Sequence, residues 1–167
     1  MLKKIIIPAA LFSLLSSTVL ADTITVKMYR VAPSGQGTSI GTVKFTDTKY
    51  GMLITPNLYD LSPDIHGFHI HVNPSCANNG DAAGGHLDPQ QTNKHLGPYD
   101  TTGHLGDLPA LTVNKEGKAS LPVLAPRLKV SVVVGHALIF HVGGDNYSDY
   151  PEKLGGGDGR FACGVAK

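Results

Sequence analysis

The sequence predicts a single all-β domain. Short runs along the chain alternate apolar and polar residues, which is the pattern of strands that bury one face. Glycine and proline are plentiful, at 20 and 11 residues, and long stretches with helical periodicity are hard to find. The 167 residues are enough for one domain with a full hydrophobic core, and no shift in composition marks a second domain.

The segment 1–21 is predicted to be a secretory signal peptide. Two lysines near its start form a basic region, and an apolar run at 5–15 follows them. Val19 and Ala21 occupy the minus-three and minus-one positions of a cleavage site. A membrane anchor is the alternative, although the apolar run is shorter than the roughly 20 residues that a spanning helix needs. The mature domain is therefore expected to comprise residues 22–167.

The predicted strands follow one another through this mature domain. Residues 23–31 alternate clearly, with Ile24, Val26 and Met28 on one face. The polar segment 114–117 separates two short β-prone runs and predicts a hairpin. The further runs with strand character are 39–46, 51–55, 67–72, 111–113, 118–123, 130–134, 137–142 and 160–165.

Two long segments, 73–107 and 143–159, lack a strand pattern. Structureless segments of this length are unusual inside a compact domain and are often functional. Of the 8 histidines, six lie between residues 66 and 104, so most metal-binding residue types fall in or beside the first segment. We therefore expect the chemistry of the protein to lie in these loops.

Charge and cysteine content narrow the class of protein. The 14 basic and 13 acidic residues nearly balance, which excludes the basic footprint of a nucleic-acid-binding protein. Cys76 and Cys163 are the two cysteines of a chain with an export signal, so they predict a disulfide. Two free buried thiols are the alternative. A disulfide would tie the histidine-rich loop to the last strand.

The histidines are spaced for metal binding. His69 and His71 lie two residues apart on a predicted strand, so both side chains point to one face, with Cα atoms about 6.6 Å apart. A half-exposed strand with two polar positions is the alternative for this pair alone. A glycine-rich loop then supplies three imidazoles and one carboxylate, a set suited to tetrahedral zinc. These residues are His86, His95, His104 and Asp107, and His141 follows at the end of a β-prone run.

Five segments of the chain resemble the copper/zinc superoxide dismutase family, most closely its bacterial periplasmic branch. They occur in the family's order, and the resemblance extends over essentially all of the mature chain. The segments are His66–His71, Gly84–Pro89, His104–Leu108, His141–Asn146 and Gly159–Val165.

The resemblance implies one copper ion and one zinc ion per subunit. Arg160 would lie beside the copper to attract and bind superoxide, and His86 would bridge the two metals and exchange a proton. Asp145 would accept hydrogen bonds from one histidine of each metal, and His66 would contact the copper side without binding metal. The implied copper ligands are His69, His71, His86 and His141, and the implied zinc ligands are His86, His95, His104 and Asp107.

The same resemblance implies an eight-stranded Greek-key β-barrel, an immunoglobulin-like sandwich with two long active-site loops. The implied activity is disproportionation of superoxide to oxygen and hydrogen peroxide, with copper alternating between Cu(II) and Cu(I) and zinc structural. That activity would serve antioxidant defence in the periplasm. A copper-delivery protein and an inactive scaffold are the alternatives, and the 3 methionines disfavour a soft Cu(I) site. We expect a homodimer, and a monomer is the alternative. After signal cleavage we expect no nucleic-acid or membrane partner.

Overall fold

A computed structural model of the protein describes residues 22–167, and the predicted signal peptide at 1–21 lies outside the described residues. The all-β prediction is confirmed. Residues 22–167 form nine strands, of which the fourth (Asp64–His66) and the fifth (Phe68–His71) are separated only by Gly67 and so make one interrupted run among eight. The strands are β1 (Thr23–Arg30), β2 (Ser39–Thr48), β3 (Gly51–Leu58), β4 (Asp64–His66), β5 (Phe68–His71), β6 (Leu111–Val113), β7 (Val123–Ala125), β8 (Ala137–His141) and β9 (Arg160–Val165).

Seven of these strands form one antiparallel sheet in the order β5-β8-β9-β1-β2-β3-β7, and β4 pairs with β6. Strand β1 lies between β2, its neighbour in the chain, and β9, the last strand. The long connections that bring β8 and β9 beside β5 and β1 give the curled sheet the character of a Greek-key barrel. This order places β5 and β8 side by side, and both end in a histidine.

The barrel interior is filled by the apolar face of each strand. Val26 and Met28 are buried as the alternation of β1 predicts, and Ile24 packs against them while partly exposed. The largest fully buried side chains include three phenylalanines from three different strands, so their rings fill the core from several directions. These are Phe45 on β2, Phe68 on β5 and Phe140 on β8.

The strand predicted at 130–134 is wrong. The structure forms one helical turn there, α1 (Val130–Val133), which buries Val130 and Val133 and leaves Val134 43% exposed. A strand would bury every second residue, whereas one helical turn brings residues three apart to the same face. The valine-rich run therefore fits both patterns, and packing against the core favours the helical turn. Among the helices of residues 22–167, none combines the length and apolar character needed to cross a bilayer.

The turn predicted at 114–117 is present, but the prediction that its two flanking strands pair with each other is wrong. Asn114 Oδ1 accepts the Lys118 N–H at 2.8 Å, and the Gly117 N–H donates to the Asn114 carbonyl at 3.0 Å. Strand β6 nevertheless pairs with β4, and β7 pairs with β3. The chain leaves the turn toward a different neighbour, which the local sequence does not specify.

Candidate metal centre

Strand β5 presents two histidines to a loop instead of to solvent. His69 and His71 pair across the sheet with β8, and all four residues of β5 are buried. The loop that follows β5 folds back over this face, because His69 forms an isolated bridge with Asp107 and His71 forms one with His86. The two-residue spacing seen in the sequence thus aims both imidazoles into a covered space.

Four buried imidazoles meet in this space. His141 comes from the end of β8, where the register with β9 shifts between Phe140 and His141. The four rings each offer a nitrogen, and all of these atoms lie within 4.8 Å of one another. The members of this group, called the copper group below, are His69, His71, His86 and His141.

A second buried group lies directly beside the first. Asp107 Oδ1 is 3.0 Å from His86 Nδ1 and 3.5 Å from His104 Nδ1, and Asp107 Oδ2 is 3.0 Å from His95 Nδ1. One carboxylate therefore faces three imidazoles. The set that meets the same 4.8 Å limit is His69, His86, His95 and Asp107, and it does not include His104. The zinc group below denotes His86, His95, His104 and Asp107.

Of the six rings in the two groups, all except that of His104 have one nitrogen hydrogen-bonded to a protein oxygen, as metal-binding histidines usually do. Each ring in the following list has one buried nitrogen without a hydrogen-bond partner in residues 22–167: His69 Nδ1, His71 Nε2, His95 Nδ1, His104 Nδ1 and His141 Nε2. Buried polar atoms are normally paired, so five such atoms turned toward two small spaces require an explanation. Imidazole nitrogens with one carboxylate fit copper and zinc.

The second nitrogens of the copper-group rings contact protein oxygens. His71 Nδ1 donates to the Gly84 carbonyl at 2.8 Å, and His141 Nδ1 lies 3.4 Å from the Asp158 carbonyl. His66 lies behind His141: its Nδ1 is 3.0 Å from the His141 carbonyl oxygen, and its ring stacks on a core phenylalanine. Backbone oxygens therefore fix the orientation of much of this group.

Asp145 connects the two groups. Its Oδ2 accepts a hydrogen bond from His69 Nε2 at 2.8 Å, and its Oδ1 accepts one from His95 Nε2 at 2.7 Å. The Tyr147 N–H also donates to Oδ1 at 2.8 Å, which fixes the carboxylate. One buried carboxylate thus sets the orientation of a ring in each group, the arrangement that the sequence resemblance implied.

Electrostatics differ between the two groups. Burial and the neighbouring His86 lower the pKa of His71 to about 2 and that of His141 to about 4, so both rings are neutral and able to bind a cation. Burial also disfavours the charged form of His95, but the neighbouring carboxylates of Asp107 and Asp145 outweigh it and raise its pKa to about 9. Burial opposes ionisation of Asp107, yet its bonds to His86 and His95 lower its pKa well below the usual range. Without metal, the zinc group therefore holds a buried pair of opposite charges, Asp107 and His95.

Arg160 lies at the edge of the copper group. Its guanidinium donates to the carbonyls of Gly80 and Gly84, the latter at 2.6 Å, and Gly84 also accepts the bond from His71. The positive charge of Arg160 contributes to the lowered pKa values of His71 and His141, after burial and the charge of His86. The side chain is half-buried, and Asp81 is its nearest carboxylate, 3.9 Å from Nε.

The predicted disulfide is present. Cys76 and Cys163 are bonded, with their Cα atoms 5.7 Å apart. The bond ties the loop after β5 to β9, close to Arg160 on the same strand. The loop that supplies the carbonyl partners of the guanidinium is thus covalently attached to the strand that supplies the guanidinium.

Two residues that contact the zinc group were missed by the sequence analysis. Asp149 accepts the His95 backbone N–H at 2.9 Å and the Leu154 N–H at 3.1 Å, which joins the two long loops. Arg127 donates to the His104 carbonyl at 2.7 Å. Both side chains bind main-chain groups, which every residue has, so no pattern of residue types marks these contacts.

Comparisons with known proteins agree with the geometry. The copper/zinc superoxide dismutase (SODC) family matches residues 39–166. Superoxide dismutase (Cu-Zn) 1 of Salmonella typhimurium is 53% identical over 163 residues, which cover 92% of each protein. The copper/zinc superoxide dismutase structure from Brucella abortus is 48% identical, with a TM-score of 0.83 over 87% of this chain and 100% of that one. The solution structure of the monomeric enzyme from Salmonella enterica is 52% identical, with a TM-score of 0.78 over the same shares.

A Greek-key barrel with two adjacent buried donor groups defines a metalloprotein built for a pair of ions. The chain belongs to the copper/zinc superoxide dismutase family. It is an oxidoreductase that acts on superoxide, and its cofactors are copper and zinc.

Proposed function

We propose that the chain disproportionates superoxide in the bacterial periplasm, with copper bound by the copper group and zinc by the zinc group. His86 belongs to both groups, so it would bridge the metals. His69 is assigned to copper rather than zinc because His104 offers a buried Nδ1 that lies 3.5 Å from Asp107 and does not belong to the copper group. The five unpaired ring nitrogens are the observation that supports the assignment most directly.

Copper, when bound, supplies a one-electron couple by which one superoxide is oxidised to oxygen and another is reduced to peroxide. The zinc group has four protein donors, as structural zinc sites do. Asp107 faces three of the zinc-group rings and contributes the negative charge that a divalent cation would neutralise. Its carboxylate and that of Asp145 hold the rings in place before metal binds.

Arg160 is proposed to attract and bind the superoxide anion. Two carbonyl oxygens fix its guanidinium beside the copper group, and these bonds use two of its five N–H groups, which leaves others to bind an incoming anion. Gly84 accepts hydrogen bonds from both Arg160 and His71, so the anion-binding group and a copper ligand share one support. A fixed positive charge at the reaction centre raises the rate at which a small anion arrives.

His86 is proposed to take up and return a proton at Nε2. Its Nδ1 lies 3.0 Å from Asp107 Oδ1, so the ring is fixed on the zinc side and Nε2 is left for the copper group. A proton at this nitrogen would lie beside the anion that Arg160 binds. Delivery of that proton, together with a second proton from solvent, would complete the formation of hydrogen peroxide.

The periplasmic location and the processing of the chain are part of the proposal. The relatives described above are bacterial enzymes, and the predicted signal peptide at 1–21 would direct export and leave Asp22 as the first residue. Mass determination of protein isolated from a periplasmic extract tests both statements.

A homodimer was expected from the sequence, whereas the Salmonella enterica relative is described as monomeric. Sedimentation of the metallated protein decides between them.

Arg160 variants test the proposed steering. Arg160→Ala should lower the second-order rate with superoxide roughly tenfold, Arg160→Lys less, and Arg160→Glu most, with copper and zinc contents unchanged. Lys44→Glu is the matched control, because it makes the same change in charge at an exposed position on β2. Added salt should slow the wild type and narrow its advantage over Arg160→Glu. Wild-type rates in fully metallated Arg160→Glu would exclude a steering role.

A further inference from the structure

The two loop histidines of the zinc group are supported in different ways. His95 receives a carboxylate directly, because its Nε2 donates to Asp145 at 2.7 Å. The corresponding nitrogen of His104 lies 4.0 Å from its nearest carboxylate oxygen, on Asp88, which is too long for a hydrogen bond. The ring of His104 therefore needs another source of orientation if its buried Nδ1 is to face Asp107.

That source is the main chain of His104. Its backbone N–H donates to the Lys94 carbonyl at 2.9 Å, and its carbonyl accepts a hydrogen bond from Arg127 Nη2 at 2.7 Å. Arg127 Nη1 donates in addition to the Asp100 carbonyl. One planar guanidinium thus binds both ends of the turn 100–104, whose last residue is the zinc-group histidine.

Arg127 extends from a segment that is itself fixed to the barrel. The next residue, Leu128, is buried in the core, Lys129 Nζ donates to the Thr48 carbonyl, and the Val130 N–H donates to Asp47. The guanidinium reaches the loop at a cost, because Arg127 Nε is buried and has no hydrogen-bond partner in the part of the chain that the structure describes. The two loop carbonyls, rather than Nε, determine where this side chain lies.

We propose that Arg127 is a positioning residue for zinc, which fixes the backbone of His104 to the barrel so that Nδ1 faces Asp107 before the metal binds. The inference rests on the proposed assignment of His104 to zinc. Arg127 takes the place at His104 that Asp145 occupies at His95: it orients a ligand through the main chain instead of through the ring. Its loss should weaken zinc binding without disturbing copper binding.

The test compares Arg127→Gln with Lys129→Gln, a control that removes a nearby cation bonded to a carbonyl outside the zinc loop. Zinc affinity is measured by competition with a chromophoric chelator, and copper affinity and metal-free unfolding are measured on the same preparations. Arg127→Gln should bind zinc about 10-fold or more weakly and copper normally, whereas Lys129→Gln should match the wild type. Arg127→Lys should lie between them, because an ammonium lacks the fork that reaches both carbonyls.

Cobalt(II) bound in the zinc group gives a spectroscopic measurement that does not change with a general loss of stability. Its visible absorption spectrum should change in Arg127→Gln and stay constant in Lys129→Gln. An unchanged spectrum and zinc affinity in Arg127→Gln would overturn the inference, as would equal weakening in the control. Asp107→Ala separates the two proposals. If Asp107→Ala binds zinc as tightly as the wild type, the ligand assignment fails. If Asp107→Ala loses zinc while Arg127→Gln binds it normally, only the positioning role of Arg127 fails.

Discussion

The two halves of the metal centre are built from different kinds of structure. The copper group takes three of its histidines from β5 and β8, neighbouring strands whose other residues, including Phe68 and Phe140, belong to the buried core. The zinc group takes His95, His104 and Asp107 from a long loop without regular strands. Packing of the barrel therefore sets the positions of the copper ligands, whereas the zinc ligands depend on side chains that reach the loop from elsewhere.

The bonds behind the rings follow a similar division, except that the side chain of Asp145 also lies behind His69. Behind His71 and His141 lie backbone carbonyls, which no single substitution removes. Behind the zinc group lie the side chains of Asp145 and Asp149, together with Arg127 at the backbone of His104. The zinc half should therefore be the more sensitive to point substitutions outside the ligands.

The largest expected effect concerns the covalent bond on the copper side. Cys76 and Cys163 lie 87 residues apart, and closing so long a loop stabilises a fold by about 4 kcal/mol on the chain-entropy model. Replacing both cysteines by serine should lower the free energy of unfolding by about that amount, measured by denaturant titration of metal-free protein. A loss below about 1 kcal/mol would show that this loop needs no covalent support, which would weaken the contrast between the halves.

Asp107→Ala should have the next largest effect and should divide the two groups. It removes the one charged zinc donor, and we expect zinc affinity to fall roughly 100-fold or more, since each ligand supplies several kcal/mol of a structural site. Copper should still bind to the strand-held histidines at one ion per chain. Metal analysis after dialysis against competing chelator measures both. Equal loss of copper and zinc would show that the halves are not separable.

A smaller effect is expected from Asp145→Ala. This substitution removes the acceptor behind His95, so zinc should bind roughly tenfold or more weakly. The same carboxylate also orients His69, yet β5 still fixes the backbone of that residue, so copper affinity should change less. Titration of each metal into the metal-free variant compares the two changes. Zinc binding as tight as in the wild type would refute the dependence of the loop on this carboxylate.

Much of this architecture was readable from the sequence, for identifiable reasons. Strands such as β1 and β2 alternate between core and solvent, so their periodicity predicts them. The valine run at 130–134 fits helix and strand alike, and only packing against the barrel decides between them. The candidate ligands stand in distinctive segments that chemistry and resemblance both select. Arg127 and Asp149 were not predictable, because their partners are backbone atoms brought near by the fold.

In the proposed assignment His104, rather than His69, completes the zinc site, so that the two metals share only His86. Anomalous X-ray scattering from crystals of the fully metallated protein, recorded on both sides of the copper and zinc absorption edges, tests this directly. We expect a copper peak enclosed by the nitrogens of the copper group and a separate zinc peak in contact with His104 Nδ1 and Asp107. A zinc peak bound to His69 with His104 turned away, or zinc and copper mixed at one position, would contradict it.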